Sequence, residues 1–209
     1  MTVHMSVLRR LLAAAAILAA TISCGDVVRQ GRSPVIIVVD SFSGAPGGGR
    51  GAGQFTGTLL SDVQALVTTP DPCTTVSPCP TFFNDLARVT LHLESKDAVV
   101  LPTANNQVTI RNFRVTYRRL DGRNTPGVDI PFGFDGAVTA TIPPTGSTTF
   151  GFELVRNVAK QESPLIQLVV NRNIINAIAD VTLYGTDLVG NDITATASMS
   201  IEFGNFSDN

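Results

Sequence analysis

The sequence predicts an all-β protein, on the evidence of its residue types and the spacing of its turns. Hydrophobic residues make up 44% of the 209 residues, and Val, Ile, Thr and Phe are abundant among the residues that favour strands. The 18 glycines and 12 prolines recur at short intervals between apolar segments, as turns do between strands. Turn residues spaced about 8 to 12 positions apart are typical of a sandwich or barrel, so we expect a single β-sandwich of about seven to nine antiparallel strands.

The first 23 residues have the layout of an export signal. Arg9 and Arg10 precede an apolar run at Leu11–Ile22, and the small residue Ser23 stands directly before Cys24. The run is shorter than the roughly 20 residues that a bilayer span needs. The segment resembles the lipobox of bacterial lipoproteins, with one departure three residues before the cysteine, where Thr replaces the usual aliphatic residue. The resemblance implies cleavage before Cys24 and diacylglyceryl transfer to its thiol, and an ordinary secretory signal is the alternative.

This reading divides the chain into a signal peptide (1–23), a lipidated tether (24–33) and a β-sandwich domain (34–209). In the same family an Asp after the cysteine marks inner-membrane retention, so Gly25 implies the outer membrane. Acyl chains would tether the protein to the membrane without spanning it. The formal net charge is −2 and becomes more negative when the signal is removed, which makes nucleic acid a poor partner. We expect no cofactor, and an envelope protein or glycan as partner.

The first half of the domain predicts two strands and a long excursion. Val35–Ser41 is an apolar run of strand length, which we expect to be buried on both faces or paired at an interface. The glycine-rich connection Gly44–Gly53 lacks the Lys and Ser or Thr that close a Walker loop, so a phosphate site there is disfavoured. Gln54–Leu60 predicts a second strand, and residues 61–81 form the excursion.

The excursion contains a cysteine pair. Cys73 and Cys79 lie among prolines in PDPCTTVSPCP, and five residues separate them. In an oxidising compartment such a pair favours a disulfide, since the lipid on Cys24 leaves these two thiols to each other. A redox pair, a metal site and free thiols are the alternatives, although structural zinc needs four ligands.

A strand with clear alternation follows the excursion. Leu86, Val89, Leu91 and Leu93 mark the inward positions, with a one-residue shift near Ala87. The intervening residues then face outward, including His92, the one histidine outside the predicted signal. A histidine without a neighbouring nucleophile favours a structural role over a catalytic one.

Gln107–Arg119 is the longest strand pattern and carries most of the basic residues. Phe113, Val115 and Tyr117 share one parity, while Val108 and Ile110 share the other, so we expect a bulge at residue 111 or 112. An Asp-Gly turn follows at residues 121–122. The basic side chains form either a solvated strand face or a docking patch for an anionic partner such as lipid headgroups or surface glycan. They are Arg111, Arg114, Arg118, Arg119 and Arg123.

Three further strands are predicted at Val128–Phe134, Ala137–Ile142 and Thr148–Arg156. A short helix is then expected near 163–171, with Ser163 as N-cap and Pro164 at the first helical position. A strand over residues 166–170 is the alternative.

The chain ends in a predicted hairpin of Ala179–Asp187 and Asp192–Phe203, whose core positions are Val181, Leu183, Ile193, Met199, Ile201 and Phe203. The segment TDLVGN resembles the turn before the last strand of bacterial immunoglobulin-like and fibronectin-like surface modules. This resemblance covers about 25 residues and implies an immunoglobulin-like sandwich, with no active site. Asp187, Asn191 and Asp192 at the turn are weak calcium candidates, since turn-forming roles explain them equally well.

Catalytic motifs are lacking: the chain has no G-x-S-x-G and no H-E-x-x-H. The sequence favours a non-enzymatic binding or assembly module on the envelope. One alternative is a carboxylate-dependent hydrolase, which needs two acids such as Glu94 or Asp129 to converge in a cleft. The other is a subunit that polymerises by strand exchange through residues 35–39.

Overall fold

The computed structural model describes residues 31 to 206, and about half of them lie in strands. Within residues 31–206, helical structure is limited to α1 (Asn157–Lys160) and to 3-10 turns at Ala104–Asn106 and Leu165–Val169. The strands are β1 (Val35–Ala45), β2 (Thr58–Asp62), β3 (Ala65–Val67), β4 (Cys79–Thr81), β5 (Asp85–Ser95), β6 (Val108–Arg119), β7 (Phe134–Ile142), β8 (Ser147–Val155), β9 (Ile175–Asp187) and β10 (Asp192–Gly204).

The strands form a five-stranded sheet, a three-stranded sheet and a small hairpin. The five-stranded sheet has the order β2-β10-β9-β6-β7, the three-stranded sheet has the order β1-β5-β8, and β3 pairs with β4. Neighbouring strands are antiparallel except β2, which runs parallel to β10. The expectation of an all-β class is therefore confirmed, and the expectation of purely antiparallel pairing is wrong at β2.

The two larger sheets share one hydrophobic core. The ring of Phe113 on β6 lies 4.6 Å, between centroids, from the ring of Phe152 on β8. On the same pair of strands the Tyr117 hydroxyl donates a hydrogen bond of 2.6 Å to the Leu154 carbonyl. This bond satisfies the polar end of a buried aromatic side chain, and burial raises the pKa of the Tyr117 phenol. Side chains of both sheets thus pack into a single interior.

The terminal hairpin and the β6 bulge are where sequence periodicity works best. All six predicted core residues of β9 and β10 are buried. Gly190 in the connecting turn has φ +87°, a conformation that favours glycine.

On β6 the register shifts between Ile110 and Asn112, so that Ile110 and Phe113 both point inward. The predicted bulge is confirmed, because only an extra residue keeps both apolar sets in the core.

The predicted shift on β5 is wrong. Burial alternates without a break from Asp85 through Ala87, Val89 and Leu91, and Leu86 points outward with 45% of its surface exposed. The prediction failed because it assigned Leu86 to the core by residue type, whereas Leu86 lies on the outward parity of β5. The register irregularity lies one position earlier, between Asp85 and Leu86.

The first strands differ from expectation at their ends. β1 extends to Ala45 and pairs with β5 on one side, so it is an edge strand and is not buried on both faces. Its Ile36 is 43% exposed. β2 starts at Thr58, later than predicted, and the excursion after it contains the β3–β4 hairpin. Pro80 in β4 is tolerated because that hairpin has two strands and both are edges.

The strand predicted at residues 128–134 is largely absent. Ile130 makes an isolated bridge to Pro126, and the segment turns at Gly127, whose φ is +77°. Two prolines without N–H groups, at 126 and 131, interrupt any ladder there.

The predicted helix near 163–171 is a 3-10 turn that starts at Leu165, with Pro164 as its N-cap residue and no side-chain cap from Ser163.

Candidate functional site

The predicted cysteine pair is bonded in the structure. Cys73 and Cys79 form a disulfide with 5.3 Å between their Cα atoms, and the bond ties the connection between β3 and β4 to the first residue of β4. The disulfide lies in the long exposed connection between β2 of the five-stranded sheet and β5 of the three-stranded sheet. Cys24, the predicted lipidation residue, lies outside the described residues.

Two of the five arginines form ion pairs with acidic residues of neighbouring strands. Arg114 donates to both oxygens of Asp135 on β7, at 2.7 and 3.0 Å. Arg118 donates to Asp180 on β9 at 2.7 Å. The hydrogen bonds from Arg114 hold the pKa of Asp135 below its ordinary value. Each pair crosses between strands on the outer face of the five-stranded sheet, where it neutralises a guanidinium charge.

Arg119 and Arg123 share a third acid, Asp121, which sits in the turn after β6. Loss of hydration raises the pKa of Asp121, but hydrogen bonds from Arg123 and Arg119 outweigh this effect and lower it to about 2. Arg111 is different, because its side chain forms no ion pair or hydrogen bond within the described part of the chain. A docking patch for an anionic partner stays a prediction, and Arg111 is the member of the five that has no acid partner among the described residues.

The β6 bulge places Arg111 beside an open hollow of about 280 Å³ on the outer face of the five-stranded sheet. The register sets Asn112 of β6 and Thr194 of β10 on either side of Tyr184 of β9. Cross-strand neighbours of this kind have Cβ atoms about 4.5–5.5 Å apart, so the three side chains form one row. The residues around the hollow are Arg111, Asn112, Tyr184, Gly185, Thr186, Asp192, Ile193 and Thr194.

The weak calcium candidates are divided between a turn and this hollow. Asp187 accepts hydrogen bonds from the backbone of Val189 and from both the backbone and side chain of Asn191, at 2.8 to 3.0 Å. Burial raises the pKa of Asp187, but these bonds and one from Ser33 outweigh it, and the pKa is lowered. Asp192 instead lines the hollow. Between residues 31 and 206, no three His, Cys, Asp or Glu side chains gather into a metal-binding group.

His92 has an acid partner that sequence reasoning missed. Its Nδ1 lies 2.6 Å from Oδ1 of Asp40, across the β1–β5 pair at the point where the register of β1 shifts. Ser147 of β8 lies opposite His92 on the other side, yet no hydrogen bond joins the two side chains. A serine nucleophile needs such a bond to its base, so this arrangement is an acid–base pair without an activated hydroxyl.

The two acids considered for hydrolase chemistry do not meet. Glu94 lines a hollow at the end of β5 together with Asp97. Asp129 lies beside Arg119 and Arg123 in a different hollow, and its carboxylate accepts a bond of 3.2 Å from the Thr125 backbone. Glu94 and Asp129 therefore line two different hollows.

A buried ion pair is the strongest polar feature that the sequence did not predict. Lys160 of α1 donates to Oδ1 of Asp85 at 2.8 Å and to the Asp62 carbonyl at 2.8 Å, and both charged side chains are fully buried. Ser61 and the Gly47 backbone also donate to the Asp85 carboxylate, at 2.6 and 3.0 Å. Burial raises the pKa of Asp85 more than Lys160 and the other donors lower it. The cluster ties α1, β2 and the glycine-rich connection to the start of β5.

Comparisons with protein-family models, with curated proteins and with solved structures found no significant match to this chain. Its class therefore follows from its own architecture: an all-β protein with two sheets on one core and a disulfide-closed hairpin. From residue 31 to residue 206, no helix has the length and apolar character that crossing a bilayer requires.

Proposed function

We propose that this chain is an exported, lipid-anchored envelope protein whose immunoglobulin-like β-sandwich serves as a non-enzymatic binding or assembly module. The observation that carries the proposal is the outer face of the five-stranded sheet. It presents polar side chains from three adjacent, core-backed strands, and one hollow within it holds an arginine without a partner among the described residues. Side chains fixed on strands keep their geometry better than side chains on loops, which suits recognition.

The disulfide supports the export part of the proposal. Disulfides persist in oxidising compartments and are rare in the bacterial cytosol. The Cys73–Cys79 bond therefore agrees with a signal segment that ends at Cys24. Lipid attachment at that cysteine would hold the domain close to the membrane, since the tether of residues 24–33 is short. We infer the outer membrane as the destination from the residue after the lipidated cysteine.

The intact mass of the protein purified from the membrane fraction tests this proposal. We expect a chain that starts at Cys24 and carries added acyl mass, with alkylation of Cys73 and Cys79 only after reduction. Cys24→Ser is the matched variant, because it removes the lipidated thiol and leaves the disulfide pair intact. An uncleaved, lipid-free wild-type chain with freely alkylated thiols would refute the proposal.

A second candidate function has one specific observation in its favour. β1 is an open edge strand, and a groove of about 530 Å³ separates its Val35–Val39 end from Ile193–Thr196 of β10. Unpaired strand edges accept further strands through backbone hydrogen bonds. A strand-exchanging structural subunit would use this edge, and the Discussion gives its test.

A further inference from the structure

We propose that the hollow around Tyr184 binds one uncharged pyranose ring of a glycan. This inference rests on the proposed function and deepens it by naming the ligand class. It is carried by three observations: an exposed aromatic ring, a pair of unpartnered opposite charges, and a size that fits one ring.

The aromatic ring is Tyr184. The chain contains no tryptophan and two tyrosines, of which Tyr117 is buried in the core while Tyr184 is 38% exposed on the sheet surface. An exposed ring offers an apolar face bounded by a polar tip. A pyranose has the complementary form, since its axial C–H groups make an apolar face and its hydroxyls form a polar rim.

The polar groups around the ring supply both donors and acceptors. Arg111 and Asp192 line the same hollow, and neither side chain forms an ion pair or hydrogen bond with a described residue. The guanidinium donates in a planar fork and the carboxylate accepts, so together they fit vicinal hydroxyls, each of which can do both. Asn112 and Thr194 add an amide and a hydroxyl on the two flanks of Tyr184.

The charges of the hollow disfavour an anionic ligand. Asp192 offsets Arg111, and the next arginine along β6, Arg114, is held by both oxygens of Asp135. A phosphate or carboxylate would meet one free guanidinium and one carboxylate of its own sign. An uncharged polyol avoids that repulsion and still uses both groups.

The size of the hollow limits the ligand. Its volume of about 280 Å³ lies just below the roughly 300–1,000 Å³ that is usual for ligand pockets. One sugar ring fills such a space, while the open side lets the rest of a glycan chain continue over the sheet. The bulge is essential to the arrangement, because Arg111 is the extra residue between Ile110 and Asn112 and has no partner residue on β9.

Titration of the full-length protein with methyl glycosides of glucose, galactose and mannose tests the inference. The protein is kept in a sugar-free zwitterionic detergent, and binding is followed by calorimetry and by saturation-transfer NMR. We expect saturable binding of at least one glycoside, with a dissociation constant on the order of millimolar for so small a ligand. Tyr184→Ala should weaken binding about tenfold or more, as should Asp192→Asn combined with Arg111→Ala.

Two matched variants control for general effects. Phe132→Ala removes another exposed aromatic ring, and Arg50→Ala removes an exposed arginine of the glycine-rich connection; both residues lie outside the hollow. Both variants should bind like the wild type. Inorganic phosphate serves as the anionic competitor and should not displace the glycoside.

Three outcomes would overturn the inference: no glycoside binds, binding is unchanged in Tyr184→Ala, or phosphate binds in place of sugar through Arg111. These failures differ from failure of the proposed function. A lipidated, disulfide-bonded protein that binds no glycoside retains the envelope role and loses the sugar site, whereas a lipid-free chain with free thiols loses the envelope role whatever it binds.

Discussion

At the scale of single residues, the buried pair Lys160–Asp85 is the point where one substitution should do most damage. Lys160→Met leaves Asp85 buried without its cation, and removing one partner of a buried ion pair costs about 3–5 kcal/mol. Urea denaturation of the purified protein measures this loss of unfolding free energy. The double variant Lys160→Met, Asp85→Asn should lose less at neutral pH, because no uncompensated carboxylate stays buried.

The same pair predicts a pH dependence. Burial raises the pKa of folded Asp85, so the folded state binds the proton more tightly than the unfolded chain, whose Asp titrates near about 3.9. The contribution of Asp85 protonation to the free energy of unfolding is therefore fully present below the unfolded pKa. It is lost as the pH rises through the folded pKa. In Lys160→Met burial acts without the opposing cation, so the deficit against the wild type should grow from about pH 4 upward. Lys96→Met is the control, since Lys96 is exposed and bonds one carbonyl; equal losses in the two variants, or a deficit that ignores pH, would contradict the prediction.

At the scale of elements, the β6 bulge predicts opposite outcomes for two single-residue deletions. Ile110 pairs with Gly185 and Asn112 pairs with Tyr184, which leaves Arg111 as the extra residue of the strand. Deleting Arg111 should restore regular pairing with β9 and keep every core residue of β6 inward. Deleting Arg114 instead shifts all later residues by one, and Val115 and Tyr117 then point to solvent.

Circular dichroism during heating distinguishes the two deletions. We expect a cooperative transition, with a modestly lower Tm, for the chain without Arg111, and loss of the cooperative transition for the chain without Arg114. Similar behaviour of both chains would mean that the register of β6 is not what fixes the sheet.

The same elements show why some of the fold is readable from the sequence and some is not. Period-two alternation predicts strands β9 and β10 and the β6 bulge, because apolar residues occupy the inward positions of these strands regularly. The burial of Asp85 has no local signal in the sequence, because it depends on Lys160, which is distant along the chain. His92 and Asp40 are likewise 52 residues apart and meet through strand pairing. Contacts of that kind depend on topology, and no local pattern encodes them.

At the scale of the whole molecule, the candidate binding face illustrates the same limit. The arginines of β6 were visible as a run, but their acid partners came from β7, β9 and the following turn. Pairing selected Arg111 as the free member, and the register brought Tyr184 and Asp192 beside it. The sequence predicted a polar strand face, while the hollow required the arrangement of three strands that are separated along the chain.

The open edge of β1 predicts whether whole molecules associate. In the strand-exchange candidate, β1 of one copy adds to a second copy, and sedimentation velocity of the full-length protein in detergent should then show concentration-dependent assembly. Ile36→Lys should abolish it, because a lysine on an edge strand opposes further pairing. Leu66→Lys is the matched control, since Leu66 is exposed to the same 43% on the small β3–β4 hairpin and should leave assembly unchanged. A single monomeric species at every concentration, or equal effects of the two lysines, would remove strand exchange and leave the monomeric binding module as the function of this fold.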